Sequence, residues 1–100
     1  MCVHGWLLSS RLWQPLQQCL EPDWAVWAPD LPGFGGAPRP RGLQPTLVSY
    51  GRWLAEAALE QAAGRPVVLI GHSLGGSLVL HAAPRLGDQL LGVVQLAAGG

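Results

Sequence analysis

Ser73 stands in the run Gly71-His72-Ser73-Leu74-Gly75-Gly76, and glycines two residues away on each side give it the setting of a hydroxyl nucleophile. A serine hydroxyl is small and attacks an acyl carbon once a base takes its proton. The glycines have a steric role, because a strand that turns abruptly into a helix leaves no room for a Cβ at Gly71 or Gly75. Gly-x-Ser-x-Gly alone says little in a chain with 14 glycines, so its surroundings must decide. On the N-terminal side, Val67-Val68-Leu69-Ile70 is a continuous apolar run, and three of its residues are β-branched. That pattern suits a strand buried on both faces of a parallel sheet. On the C-terminal side, Leu74, Leu78, Val79, Ala82, Ala83 and Leu86 recur at helical spacing. Strand, sharp turn and helix together are the sequence form of a nucleophile elbow, which holds its serine in an unfavourable backbone conformation and pushes the hydroxyl into a cleft.

The rest of the chain must position this turn. Residues 1–3 are a short apolar stub leading into His4-Gly5-Trp6. Ser9 or Ser10 can cap a helix running to about Leu20, with Leu12, Trp13, Leu16 and Leu20 on one stripe and Pro15 in its first turn. Residues 24–28 read as a strand bounded by Pro22 and Pro29. Residues 29–45 are rich in glycine and proline and fit a surface loop forming the wall of a cleft. Thr46 caps the next helix, which runs to about Ala63 and stops at Gly64. Its expected buried face is Leu47, Tyr50, Leu54, Ala57, Ala58 and Ala62, with Arg52, Glu56 and Glu60 facing water. The helix after Ser73 is expected to break at Pro84, and a last strand covers 90–97. Strands alternating with helices predict an α/β fold, with βαβ crossovers and flanking helices around a parallel sheet.

Composition narrows the function classes. Six basic and six acidic side chains give a formal net charge of zero, which offers no footprint for nucleic acid or an anionic membrane. Lysine is absent, which excludes a P-loop, and Gly71-x-Ser73-x-x-Gly76 lacks the second glycine of a dinucleotide-binding turn. Three histidines and two cysteines never fall at metal-ligand spacing, so neither a metal nor another cofactor is expected. No stretch has the form of a signal peptide or approaches the roughly 18 to 20 apolar residues of a membrane span. Cys2 and Cys19 read as reduced thiols, and the expected location is the cytoplasm.

Three motifs come in fixed order: His4-Gly5-Trp6 after a strand stub, Pro29-Asp30-Leu31-Pro32-Gly33-Phe34-Gly35 after the next apolar segment, and the Ser73 turn. Together they resemble the α/β-hydrolase superfamily, in its branch of serine esterases, over essentially the whole chain. The resemblance implies a partial α/β-hydrolase fold from the end of strand 3 through strand 6, with residues 1–100 a domain truncated at both ends. It makes Ser73 the nucleophile and the backbone N–H groups of Trp6 and Leu74 the oxyanion hole. Gly5, Gly71, His72 and Gly75 support these motifs, and His4 braces its loop rather than serving as base. Asp30 is another loop brace, and Asp88 falls at the end of the sheet away from the cleft. His81, two helical turns beyond Ser73, is too far along the axis to reach its hydroxyl. The triad acid and histidine are therefore expected beyond residue 100. The expected function of the full-length protein is hydrolysis of a carboxylic ester or related acyl substrate, a small molecule. Trp6, Trp13 and Phe34 near the cleft favour an apolar acyl or aromatic group. Residues 1–100 alone are expected to be inactive and marginally folded. The alternative is a catalytically inactive fragment or non-enzymatic remnant.

Overall fold

The computed structural model describes residues 1–4, 10–21, 23–33 and 41–96. Its centre is β2, Val67–His72, whose side chains alternate so that Val67, Leu69 and Gly71 are buried while Val68, Ile70 and His72 are half-buried. β1, Cys2–Val3, and β3, Leu90–Leu96, flank it in the order β1-β2-β3, both parallel to it. The register sets Val3 opposite Gly71, and Gln95 and Leu96 opposite Gly71 and His72. Parallel neighbours need a crossover, and α3, Leu74–Leu86, supplies it between β2 and β3.

α2, Leu47–Ala62, opens as its sequence dictates, with the Thr46 hydroxyl accepting from the Ser49 N–H at 3.1 Å. It closes on Ala63 in the left-handed conformation (φ 51°, ψ 49°), one residue before Gly64. Its buried face is Tyr50, Gly51, Leu54, Ala55 and Ala58, which differs from the sequence expectation at two edges. Leu47 lies in the first turn and is exposed, whereas Gly51 and Ala55 face α3. At Gly51 the approach is so close that an added Cβ would sit 2.6 Å from the His81 Cβ. Leu54, Ala55, Ala58, Leu78, Val79, Ala82 and Leu86 then join Val3, Leu31, Val67 and Leu69 in one core.

Three sequence expectations differ from the fold. Pro84 does not break α3, which continues to Leu86. Proline removes one helical hydrogen bond, but this one lies in the last turn, where the buried Leu86 anchors the chain. Residues 24–28 do not form a strand. Residue 24 is a bend and 25–28 take no regular structure; the Cys2 N–H donates to the Trp27 carbonyl at 3.0 Å, but β1 offers only two residues as a ladder partner. The expected helix ending at Leu20 divides into a 3-10 turn, Ser10–Trp13, and α1, Gln14–Leu20, with Pro15 in the first turn of α1. The stub at residues 1–3 thus sits between residue 27 and β2. The Met1 α-amino group donates to the Val68 carbonyl at 2.8 Å, and the Ile70 N–H donates to the Met1 carbonyl at 2.7 Å. Burial pushes that amine below its ordinary pKa and the neighbouring Cys2 thiol above its own. No helix among the described residues is long and apolar enough to cross a membrane.

Candidate active site

Ser73 is the junction between β2 and α3, and its backbone has φ 54° and ψ −118°. A non-glycine residue at positive φ carries strain of order 1–3 kcal/mol and persists only where neighbours over-determine it. Here the neighbours are identifiable. The Ser73 N–H donates to the Leu96 carbonyl at 2.9 Å, which prolongs the β2–β3 ladder by one residue. Its carbonyl accepts from the Gly76 N–H at 2.9 Å and the Ser77 N–H at 3.4 Å, which starts α3. The side chain between these ties is exposed.

The two flanking glycines permit the turn. A Cβ on Gly71 would run into the carbonyl of Gly75 and lie 2.6 Å from the Gly76 nitrogen. A Cβ on Gly75 would run into the Val3 carbonyl oxygen and lie 2.7 Å from that of His4. Gly71 therefore lets α3 close down on β2, and Gly75 lets the same helix close down on the end of β1. Leu74 is the first residue of α3, so its N–H is one of the helix-start donors with no acceptor inside the helix. The helix dipole adds partial positive charge at the same place. The arrangement suits an anion developing beside the Ser73 hydroxyl.

His4 is fully buried, and its Nε2 accepts from the Leu31 N–H at 2.9 Å. An acceptor Nε2 requires the neutral ring with its proton on Nδ1. The segment after Leu31 is pinned from a second side, because the Tyr50 hydroxyl donates to the Pro32 carbonyl at 2.7 Å in a buried bond. Helical periodicity places Tyr50 on the apolar face and says nothing of its hydroxyl. Its hydroxyl was the available clue, since a buried tyrosine must find a partner for that group. His72 is half-buried on the face of β2 opposite Gly71, and its Nδ1 is enclosed without a hydrogen-bond partner among the described residues. His81 is exposed on α3. Gly5, Trp6 and Phe34 lie outside the described residues, so of the two N–H groups expected to face an oxyanion the structure places that of Leu74. Trp13, expected near the cleft, is buried.

A cavity of about 420 Å³ lies elsewhere, lined by Met1, Trp24, Trp27, Ala62, Arg65 and Val68 among others. It lies along β2 from Val67 to Ile70, and Ile70 is about 10 Å of extended chain from Ser73. Geometry outweighs volume here, because that cavity touches neither Ser73 nor Leu74.

The family model described as alpha/beta hydrolase fold matches residues 1–98. A biotin biosynthesis bifunctional protein of Cellvibrio japonicus is 41% identical over 96 residues, covering 96% of this chain and 18% of that protein. A pimeloyl-[acyl-carrier protein] methyl ester esterase of Xylella fastidiosa is 35% identical over 99 residues, covering 96% of this chain and 34% of the esterase. Among solved structures, a monoacylglycerol lipase of Paleococcus ferrophilus superposes with a TM-score of 0.75 at 34% identity, over 94% of this chain and 36% of the lipase. The chain thus spans about a third of the length of these esterase and lipase relatives, and less of the bifunctional one.

Proposed function

From the premise that the chain belongs to the alpha/beta hydrolase fold family, we propose that Ser73 is the nucleophile of a serine hydrolase acting on a small carboxylic ester. The observation that carries this reading is the strained backbone of Ser73, held at φ 54° between β2 and α3 by glycines that admit no Cβ. Ala63, at φ 51° and ψ 49°, occupies the left-handed well of a helix end, whereas Ser73 at ψ −118° lies outside it, and strain of that kind clusters at functional sites. Similarity to a methyl ester esterase and a monoacylglycerol lipase supports an ester as the substrate class.

In this mechanism the Ser73 Oγ adds to the ester carbonyl carbon while a histidine takes its proton. The carbonyl oxygen becomes an oxyanion and is received by the Leu74 N–H, with the Trp6 N–H as second donor. Collapse breaks the bond to the alcohol, which leaves with the histidine's proton, and water then releases the acid from Ser73. His4 is committed to Leu31, His72 projects from the other face of β2, and His81 lies two helical turns away. The base and its orienting acid are therefore assigned to residues outside this segment. Residues 1–100 alone should not turn over.

The test is turnover of p-nitrophenyl acetate by the full-length protein. Ser73→Ala should lower kcat by at least about a thousandfold, as loss of a triad member does elsewhere. Undiminished turnover by that variant would remove Ser73 from the mechanism.

A further inference from the structure

β3 reads Leu90-Leu91-Gly92-Val93-Val94-Gln95-Leu96, and Gln95 is its one polar side chain. Its place in the register is opposite Gly71, so it projects on the same face of the sheet as Gly71, toward α3. From there its Nε2 donates to the carbonyl of Gly76 at 2.9 Å. Gly76 is the third residue of α3, and its own N–H bonds the Ser73 carbonyl. The next residue of β3 holds the other side of the turn, because the Leu96 carbonyl accepts the Ser73 N–H. Two consecutive residues thus clamp the elbow, one through its backbone and one through its side chain.

We propose that Gln95 is a positioning residue for Ser73, an inference that rests on the reading of Ser73 as nucleophile. The Leu96 tie fixes where Ser73 leaves the sheet. The Gln95 tie fixes where the first turn of α3 lies relative to that sheet, and Leu74 sits between the two. Without the side-chain amide, the first turn keeps its own hydrogen bonds and its packing on β1 but loses its one side-chain tie to β3 in the structure, so it shifts more readily about the Ser73 backbone and moves the Leu74 N–H with it. An apolar residue at this exposed end of β3 would offer the Gly76 carbonyl no donor. The polar amide in an otherwise apolar strand is thereby explained.

The experiment uses the full-length protein with Gln95→Met, which keeps the side-chain length but has no donor, and Gln95→Lys, which restores a donor. A fluorophosphonate probe, whose fluoride the serine oxygen displaces, reports kinact and KI separately. Losing one partly exposed hydrogen bond predicts a two- to fivefold drop, roughly, in kinact for Gln95→Met, with KI unchanged. Gln95→Lys should recover to within about twofold of wild type. Amide exchange gives an independent reading. Gln95→Met should speed exchange at Gly76 and Ser77 by a similar factor and leave Leu69 in β2 unchanged. A Gln95→Met protein that labels and exchanges like wild type overturns the proposal. So does a Gln95→Lys protein as slow as Gln95→Met, or loss of protection that extends equally to Leu69. If wild-type Ser73 takes no probe, the nucleophile reading fails, and the exchange result alone decides whether Gln95 holds the turn.

Discussion

Replacing Gly75 with alanine sets a methyl carbon against the Val3 carbonyl oxygen, with the Val3 carbonyl carbon and the His4 carbonyl oxygen each 2.7 Å away. Ordinary contact begins near 3.4 Å, so those two atoms alone require α3 and the end of β1 to separate by about 0.7 Å, and the nearer Val3 oxygen requires more. Every atom in the way is backbone, and no flexible side chain can turn aside. Overpacking of this kind costs about 1–3 kcal/mol where neighbours shift. The strand that must yield also carries the Val3–Gly71 pairing and places His4 against Leu31, so about 1 kcal/mol of hydrogen bonding is at risk as well. The expected loss is about 2–4 kcal/mol in all. Gly92→Ala is the internal control, because nothing lies within 4 Å of its added Cβ. It should stay within about 0.5 kcal/mol of wild type. Urea unfolding of the full-length protein reads both as midpoint shifts at constant slope. If Gly75→Ala unfolds within about 0.5 kcal/mol of wild type, the close approach of α3 to β1 is wrong.

Ala63→Gly should stabilise by about 0.5–1 kcal/mol in urea unfolding, since alanine there adopts a left-handed cap at φ 51° that suits glycine; a destabilised variant contradicts that cap. Ser73→Gly should also raise stability by about 1 kcal/mol, by releasing strain at φ 54°, and a stability equal to that of Ser73→Ala would mean that no strain is stored. For residues 1–100 with a free amino terminus, the Met1 amine is lowered and the Cys2 thiol raised by burial. The folded state therefore binds fewer protons than the unfolded one just below the ordinary amine value of about 8, and more just above the ordinary thiol value of about 8.5. Folded content by circular dichroism should rise as the pH climbs toward about 8 and fall as it climbs beyond about 8.5. Nα-acetylation should flatten the rise, and an unchanged rise after acetylation would refute the amine's part in it.

The positions legible in sequence were those where local chemistry admits few solutions. Gly71 and Gly75 declared themselves because a strand-to-helix turn forbids a Cβ, and Thr46 because a helix start needs an acceptor. Helix α2 lost its predicted first-turn anchor Leu47 because that turn extends past the core, which periodicity alone does not register. Gly51 was missed for a related reason: its value lies in contact with His81 on another helix, 30 residues away in sequence. Pro84 misled because its effect depends on how close the helix end lies, and Leu86 holds that end. Residues 24–28 have strand composition without a strand's ladder, since pairing belongs to the neighbour as much as to the segment. Tyr50 and Gln95 show the same limit in side chains. Each is one polar group in an apolar pattern, and its partner, the Pro32 or Gly76 carbonyl, is fixed only by the fold.

The central claim is that the strained, exposed Ser73 is a nucleophile. Its most direct test is to treat the full-length protein with a fluorophosphonate probe, weigh it intact and map the adduct by peptide mass spectrometry. One adduct on the peptide containing Ser73, absent from Ser73→Ala, is the predicted result. An adduct on another residue, or one that survives Ser73→Ala, would contradict the account.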